Sequence, residues 1–204
     1  MNQENYSLIG VDLGGTKVAA GKLSGNIIRE QITEKLDQSS QDPMDAVALI
    51  IRLVQKLMDE GVAGIGIGVP GPVDRATGVV YDVLNIPNWK EIPLRAIMEE
   101  QFRLPVFVDN DSNCFAMGEY RYGDHAGHPD FVGITLGTGM GAGIIKDGRL
   151  LPDAHCCSGE FGTISYLDGI YEDYTAGPFF QRVYGKSGEE LAREAAGGNP
   201  DAQE

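Results

Sequence analysis

An α/β fold is what the sequence predicts, and three features predict it. Short β-type runs divided by tight glycine turns open the chain, and an apolar pattern of helical period follows them. A glycine-rich apolar run then reads as a buried strand. From Phe131 a second set of glycine-divided β runs repeats the opening, which suggests two halves of a duplicated fold.

The opening runs are Tyr6 to Val11, Val18 to Leu23 and Ile27 to Ile32, separated by Gly14-Gly15 and Ser24-Gly25-Asn26. Such short connections make an antiparallel meander. Asp42 can then cap a helix and Pro43 suits its first turn, while Met44, Val47, Ile50, Ile51, Val54, Leu57 and Met58 recur at helical spacing until Gly61. Val62 to Val69 follows as a strand parallel to the first. Meander, helix and parallel strand together give an α/β domain of ribonuclease-H-like type. Pro93 to Arg103 reads as an amphipathic helix, Pro105 to Val108 as a strand and Cys114 to Tyr120 as a helix. The second meander comprises Val132 to Leu136 and Ala142 to Ile145, joined by Gly137-Thr138-Gly139-Met140-Gly141. Its G-x-G-x-G spacing lies between strands, so it is neither a Rossmann turn nor a Walker loop, both of which open a helix. Gly188 to Ala196 is a last helix, and Asn199-Pro200-Asp201 carries the start signals of another.

The first turn, Asp12-Leu13-Gly14-Gly15-Thr16-Lys17, holds a kit for phosphate and its metal. Its glycines leave amide N–H groups uncovered, Asp12 can hold hydrated magnesium, Thr16 can donate to a phosphate oxygen and Lys17 supplies charge. An ordinary hairpin turn with a solvated lysine would look the same. Gly68-Val69-Pro70-Gly71-Pro72-Val73-Asp74 is a stiff turn at the carboxyl end of a strand, either a ligand-side turn or a structural one. The loop Asn85 to Trp89 carries the only Trp, a ring that can hold a sugar or anchor packing. Asn110 and Asp111 sit where a strand feeds a helix, placed to orient a hydroxyl and accept its proton, or to cap the helix.

Composition narrows the partners. A formal net charge of -14 leaves no basic surplus for nucleic acid or an anionic membrane. No apolar run reaches the length of a membrane span, and Met1 to Asn5 lacks the marks of a signal peptide, so a cytoplasmic location is expected. Cys114, Cys156 and Cys157 fit a reducing compartment and are expected to be buried thiols.

Five motifs stand in one order: Asp12-Leu-Gly-Gly-Thr-Lys17, Gly68-Val-Pro-Gly-Pro-Val-Asp74, Asn110-Asp111-x-Asn113, Leu136-Gly-Thr-Gly-Met-Gly141 and Ser158-Gly-Glu-Phe-Gly162. In this the chain resembles, over nearly its whole length, the ROK family of sugar kinases and repressors. The resemblance implies the actin/hexokinase ATPase fold, with ATP between two lobes and a hexose or N-acetylhexosamine in the cleft. It implies Asp111 as the catalytic base, with Asn85, Asn110, Glu160 and Glu172 at the sugar. Gly14, Gly15, Thr16, Lys17, Gly137, Thr138 and Gly139 would hold the phosphates, with Mg²⁺ near Asp12. Residues 1–117 would form the first lobe and 118–204 the start of a second, incomplete one. Dimeric relatives suggest a homodimer.

Two departures from the family pattern stand out. Where the family usually has a histidine touching sugar and zinc, this chain has Thr163, and no cysteine lies in Gly169-Ile170-Tyr171-Glu172. No structural zinc is therefore expected, with Phe161, Tyr166, Leu167, Tyr171 and Tyr174 packing in its place; His155 lies nearby as a lone loop histidine. The family also continues well beyond residue 204, with segments that contact adenosine. Three functions follow: an ATP-dependent kinase acting at a sugar 6-hydroxyl, a sugar-binding remnant without catalysis, and a sugar-responsive repressor.

Overall fold

The computed structural model describes residues 6–124, 128–153 and 156–199, which leaves His155, Pro200 and Asp201 outside the described residues. The opening meander forms as predicted. β1 (Ser7–Leu13), β2 (Lys17–Ser24) and β3 (Ile27–Lys35) pair antiparallel, with Val11 opposite Ala20 and Ala20 opposite Ile32. Alternation sets the faces: Ile9, Val11 and Leu13 enter the core, while Leu8 and Asp12 turn outward.

Helix α1 (Pro43–Leu57) covers the inner face. The Asp42 carboxylate accepts from the Met44 N–H at 2.9 Å, and Pro43 occupies the first turn, where no donor is lost. Val47, Ile50, Leu53, Val54 and Leu57 make the buried stripe, each side chain contributing roughly 1.5–3 kcal/mol by leaving water. The helix stops at Leu57 rather than running to Gly61. Asp59 accounts for this, because its carboxylate accepts from the Gly61 N–H in a local turn and pairs with Lys22 of β2.

β4 (Val62–Val69) lies parallel to β1. A small antiparallel sheet of β5 (Val73–Asp74), β6 (Val79–Tyr81) and β7 (Glu91–Ile92) follows, and α2 (Leu94–Phe102) leads into β8 (Val106–Asn110), parallel to β4. Trp89 anchors the small sheet, buried with its indole N–H donating to the Val80 carbonyl at 3.2 Å. The main sheet has the order β3-β2-β1-β4-β8. Its three parallel strands therefore end on one edge, where Asp12, Gly68 and Asp109 stand side by side in register.

Helix α3 (Asp111–Tyr122) leaves β8 directly, starting earlier than the predicted Cys114. Asn110 caps it, Oδ1 accepting from the Ser112 N–H at 2.9 Å. The helix packs on a second sheet of β9 (Phe131–Leu136), β10 (Met140–Lys146) and β11 (Arg149–Leu150), ordered β11-β10-β9 like the opening meander. Beyond it come a short 3-10 turn at Phe161–Thr163, the hairpin of β12 (Ser165–Tyr166) and β13 (Gly169–Ile170), and helices α4 (Tyr171–Thr175), α5 (Pro178–Tyr184) and α6 (Gly188–Ala196). The Ser187 hydroxyl accepts from the Glu190 N–H, and the Glu190 carboxylate accepts from the Ser187 N–H, so a capping box starts α6. Among the described residues no helix is long and apolar enough to cross a membrane.

The cysteines correct one expectation. Cys114 and Cys157 are exposed and Cys156 is half-buried, none in the core. Cys114 lies on the first turn of α3 beside Gly68, on the sheet face that α1 does not cover.

Candidate active site

A cavity of about 990 Å³ runs along the face of the main sheet that α1 leaves open, from Ala20, Leu23, Ile28 and Phe107 to Asp12, Gly68, Asp109, Asp111 and Thr135 at the carboxyl edge, and of the predicted site residues only Asp12 and Asp111 line it. β1 delivers Asp12, β4 delivers Gly68, and β8 with the first residue of α3 delivers Asp109 and Asp111. This is where parallel strands present ligand-facing groups.

Burial first, then the like charge of Asp12, holds the Asp111 carboxyl above the ordinary carboxylate range, although hydrogen bonds from Ser112 act the other way. The Ser112 N–H donates to Asp111 at 2.7 Å, and the Ser112 hydroxyl bonds Thr135 of β9 at 2.9 Å, which ties the start of α3 to the second sheet. Asn110 spends its oxygen on the helix cap and its amide on the Gly71 carbonyl at 3.3 Å, so it also fixes the stiff turn after β4. Packing against the open sheet face and the carboxylates of Asp109, Asp111 and Asp12 push the Cys114 thiol up to about 12, so it stays protonated near neutral pH.

The residues of the two glycine turns stand outside that lining. In the first, the Gly14 N–H donates to the Lys17 carbonyl at 2.9 Å, and Thr16 and Lys17 are exposed. Gln38 donates to the Gly15 carbonyl at 3.1 Å, and Asn85 lies so close that a side chain at Gly15 would meet its Cβ at 2.8 Å. In the second turn the Gly137 N–H donates to the Gly139 carbonyl at 2.9 Å, with Thr138 exposed at the tip.

Glu160 and Glu172 approach from the second lobe. Gly159 makes this possible: its φ of +94° and its contact with the Ala142 carbonyl leave no space for a side chain, so the loop carrying Glu160 lies directly on β10. Burial raises the Glu160 pKa, and the carboxylates of Asp111, Glu172 and Asp153 raise it further. Glu160 thus lies within electrostatic reach of Asp111 and Glu172. Glu172 does not simply point into the cleft, because its Oε2 accepts from the Met140 N–H at 2.8 Å.

The expected aromatic packing behind Glu172 forms in part. Tyr166 stacks on Tyr171 at 4.7 Å and meets Tyr174 edge-on at 5.3 Å, and the Tyr174 hydroxyl donates to Asp168. Leu167 stays out, 78% exposed with φ of +51°, because it occupies the turn between β12 and β13. Among the described residues no group of three or more His, Cys, Asp or Glu is arranged to hold a metal.

Sequence reasoning missed Arg75. Its Nε pairs with Asp109 Oδ2 at 2.9 Å, and a terminal nitrogen donates to the Leu151 carbonyl at 3.3 Å, so it straps the first sheet to the second-lobe segment beyond β11. Asn113 completes Asp109 at 2.9 Å, and Arg95 donates to the carbonyls of Arg75 and Ala76. The only available signal was an arginine immediately after the Gly68–Asp74 turn.

Strand order and the repeated meander define a two-lobed α/β protein of the actin and hexokinase ATPase type. The chain belongs to the ROK family, whose model matches residues 8–195. It is 33% identical to a xylose repressor of Caldicellulosiruptor bescii over 83% of this chain and 44% of the repressor. It is 36% identical to a glucokinase of Streptomyces coelicolor over 83% of this chain and 56% of the glucokinase. A ROK glucokinase from Streptomyces griseus, solved with glucose and AMPPNP, aligns with a TM-score of 0.77 at 33% identity, over 92% of this chain and 62% of that one. The chain spans about half the length of the curated relatives it matches.

Proposed function

We propose that this chain carries the sugar- and phosphate-contacting part of an ATP-dependent hexose kinase. The observation that carries the reading is Asp111: a half-buried carboxyl at the start of α3, raised in pKa, on a cavity floor shared with Asp12 of the first glycine turn. Phosphoryl transfer asks a protein for positioning, charge neutralisation and a group to take the hydroxyl proton. Asp111 is the general base, accepting the proton of the sugar 6-hydroxyl as that oxygen attacks the γ-phosphorus and the bond to the β,γ-bridging oxygen breaks. A pKa raised toward the working pH suits that task.

Asn85, Asn110, Glu160 and Glu172 hold the sugar by accepting from or donating to its hydroxyls, and so select which hydroxyl meets the phosphate. Gly14, Gly15, Thr16, Lys17, Gly137, Thr138 and Gly139 receive the phosphates through backbone amides, hydroxyls and the lysine. Asp12 suits magnesium: one open carboxylate among hard oxygen donors fits an ion that keeps its waters and binds chiefly to substrate phosphates. When bound, the ion neutralises charge on the phosphate oxygens. Residues 1–117 and 118–204 are taken as the two lobes, with α3 running across the boundary.

A panel of hexoses and N-acetylhexosamines in a coupled ADP-release assay tests this, with phosphorus NMR to locate the product phosphate. ADP release that depends on one sugar, with a 6-phosphate product, supports the reading. The resemblance to a xylose repressor favours a second one, a sugar-responsive regulator. Sugar binding measured as a melting shift with no ADP release under any sugar overturns the kinase reading and supports either that regulator or a sugar-binding remnant without catalysis.

A further inference from the structure

Glu172 connects the sugar side of the cleft to the second glycine turn. Helix α4 grips that turn at both ends: the Glu172 carboxylate accepts from the Met140 N–H at 2.8 Å, and the Gly177 N–H, just past α4, donates to the Gly137 carbonyl at 2.7 Å. Thr175 adds a bond to the Met140 sulfur at 3.4 Å. Gly139 lies against the carboxylate, since a side chain there would meet Oε2 at 2.6 Å. The helix is itself held from behind by the Tyr171 N–H on the Ile164 carbonyl and by the Tyr166 stack.

This arrangement sorts the donors of the turn. The Gly137 N–H is spent on Gly139 and the Met140 N–H on Glu172, so among the described residues Thr138 and Gly139 supply the N–H groups still open to an anion. With Gly137 held through both its N–H and its carbonyl and Met140 held through its N–H, Thr138 and Gly139 span two fixed ends. We propose that Glu172 is a positioning residue for the second phosphate turn, holding Gly137 to Met140 in the shape that receives a nucleotide phosphate whether or not sugar is bound. Its other oxygen remains for the sugar, so one side chain serves both substrates. The proposal rests on the kinase reading above and deepens it.

Calorimetry of Mg²⁺–AMPPNP binding in the absence of any sugar tests it, on the wild type, Glu172→Ala and Glu172→Gln. Glu172→Ala is expected to weaken binding about tenfold, the order of one charge-assisted hydrogen bond. Glu172→Gln keeps an acceptor oxygen and is expected to stay within about twofold of the wild type. A residue that touched only sugar would leave sugar-free nucleotide binding unchanged in both variants, and that result overturns the proposal. Amide exchange by NMR on the unliganded wild type guards against a variant that fails to fold. Met140 is expected to exchange more slowly than Thr138, and equal rates overturn the assignment. A wild type that binds no AMPPNP overturns the proposal, while the kinase reading stands or falls by the ADP-release assay.

Discussion

Replacing Gly143 by alanine should push α3 away from the second sheet and destabilise the chain more than its small volume suggests. A Cβ built at Gly143 would meet the Ala116 Cβ at 2.5 Å, the Ser112 carbonyl oxygen at 2.7 Å and the Asn113 Cα at 3.0 Å. Two of these contacts are backbone, so no rotamer change relieves them. Gly133 is the useful contrast, because a Cβ there meets chiefly Ala116, its Cβ at 2.8 Å and its Cα at 3.0 Å. Overpacking of this kind costs about 1–3 kcal/mol, with Gly143→Ala at the upper end. In a chain of this size each kcal/mol lowers the melting midpoint by about 2–4 °C. Ala116→Gly alone costs about 1 kcal/mol as a glycine in a helix interior. The double variant Gly133→Ala with Ala116→Gly should therefore be about 1 kcal/mol more stable than the two single effects predict, while Gly143→Ala with Ala116→Gly recovers less. Urea unfolding of the five variants gives these numbers. Additive energies in the Gly133 pair, or a Gly143→Ala variant as stable as the wild type, would refute the contact between α3 and its sheet. That contact bears on the proposed base, because Asp111 is the first residue of α3.

Other outcomes follow from the same geometry. Asp12→Asn removes a like charge, so the Asp111 carboxyl should titrate at lower pH in carbon NMR; an unmoved titration contradicts their proximity. Because folding raises the pKa values of Asp111 and Glu160, the stability these groups contribute is present below their unfolded values and lost as pH rises through the folded ones. Asp111→Asn should accordingly lessen the fall in stability as pH rises above about 4, the unfolded carboxylate value, measured by urea unfolding across pH. Arg75→Met breaks a half-exposed pair with Asp109 and a bond to Leu151, and should cost about 1–2 kcal/mol, between the surface and buried limits. An unchanged unfolding midpoint would show that the strap contributes nothing.

Local signals in the sequence carried much of the architecture. Gly14-Gly15 and the glycines from 137 to 141 marked both hairpin tips, and Asp42-Pro43 marked the start of α1, because turn and cap chemistry acts over a few residues. Asp111 was placed at a strand-to-helix junction for the same reason. What stayed hidden depended on distant partners. Arg75 meets Asp109 and Leu151 only after two sheets assemble, and no local pattern marks such a meeting. The end of α1 moved because Asp59 chose Gly61 and Lys22 over the helix. Cys114 was expected inside on its residue type, yet α3 turns it toward the uncovered face of the main sheet. Glu172 could be tied to sugar only through the family resemblance, and its bond to Met140 became visible only in three dimensions.

The central claim is that Asp111 takes the sugar proton during phosphoryl transfer. Hexose-dependent ADP release by the wild type and Asp111→Asn, run beside hexose binding by the same two proteins, tests it most directly. The account predicts release in the wild type, a fall of about 10²–10⁴-fold in Asp111→Asn as expected for a general base, and hexose binding retained in both. Sugar-dependent release that survives Asp111→Asn at the wild-type rate would contradict it.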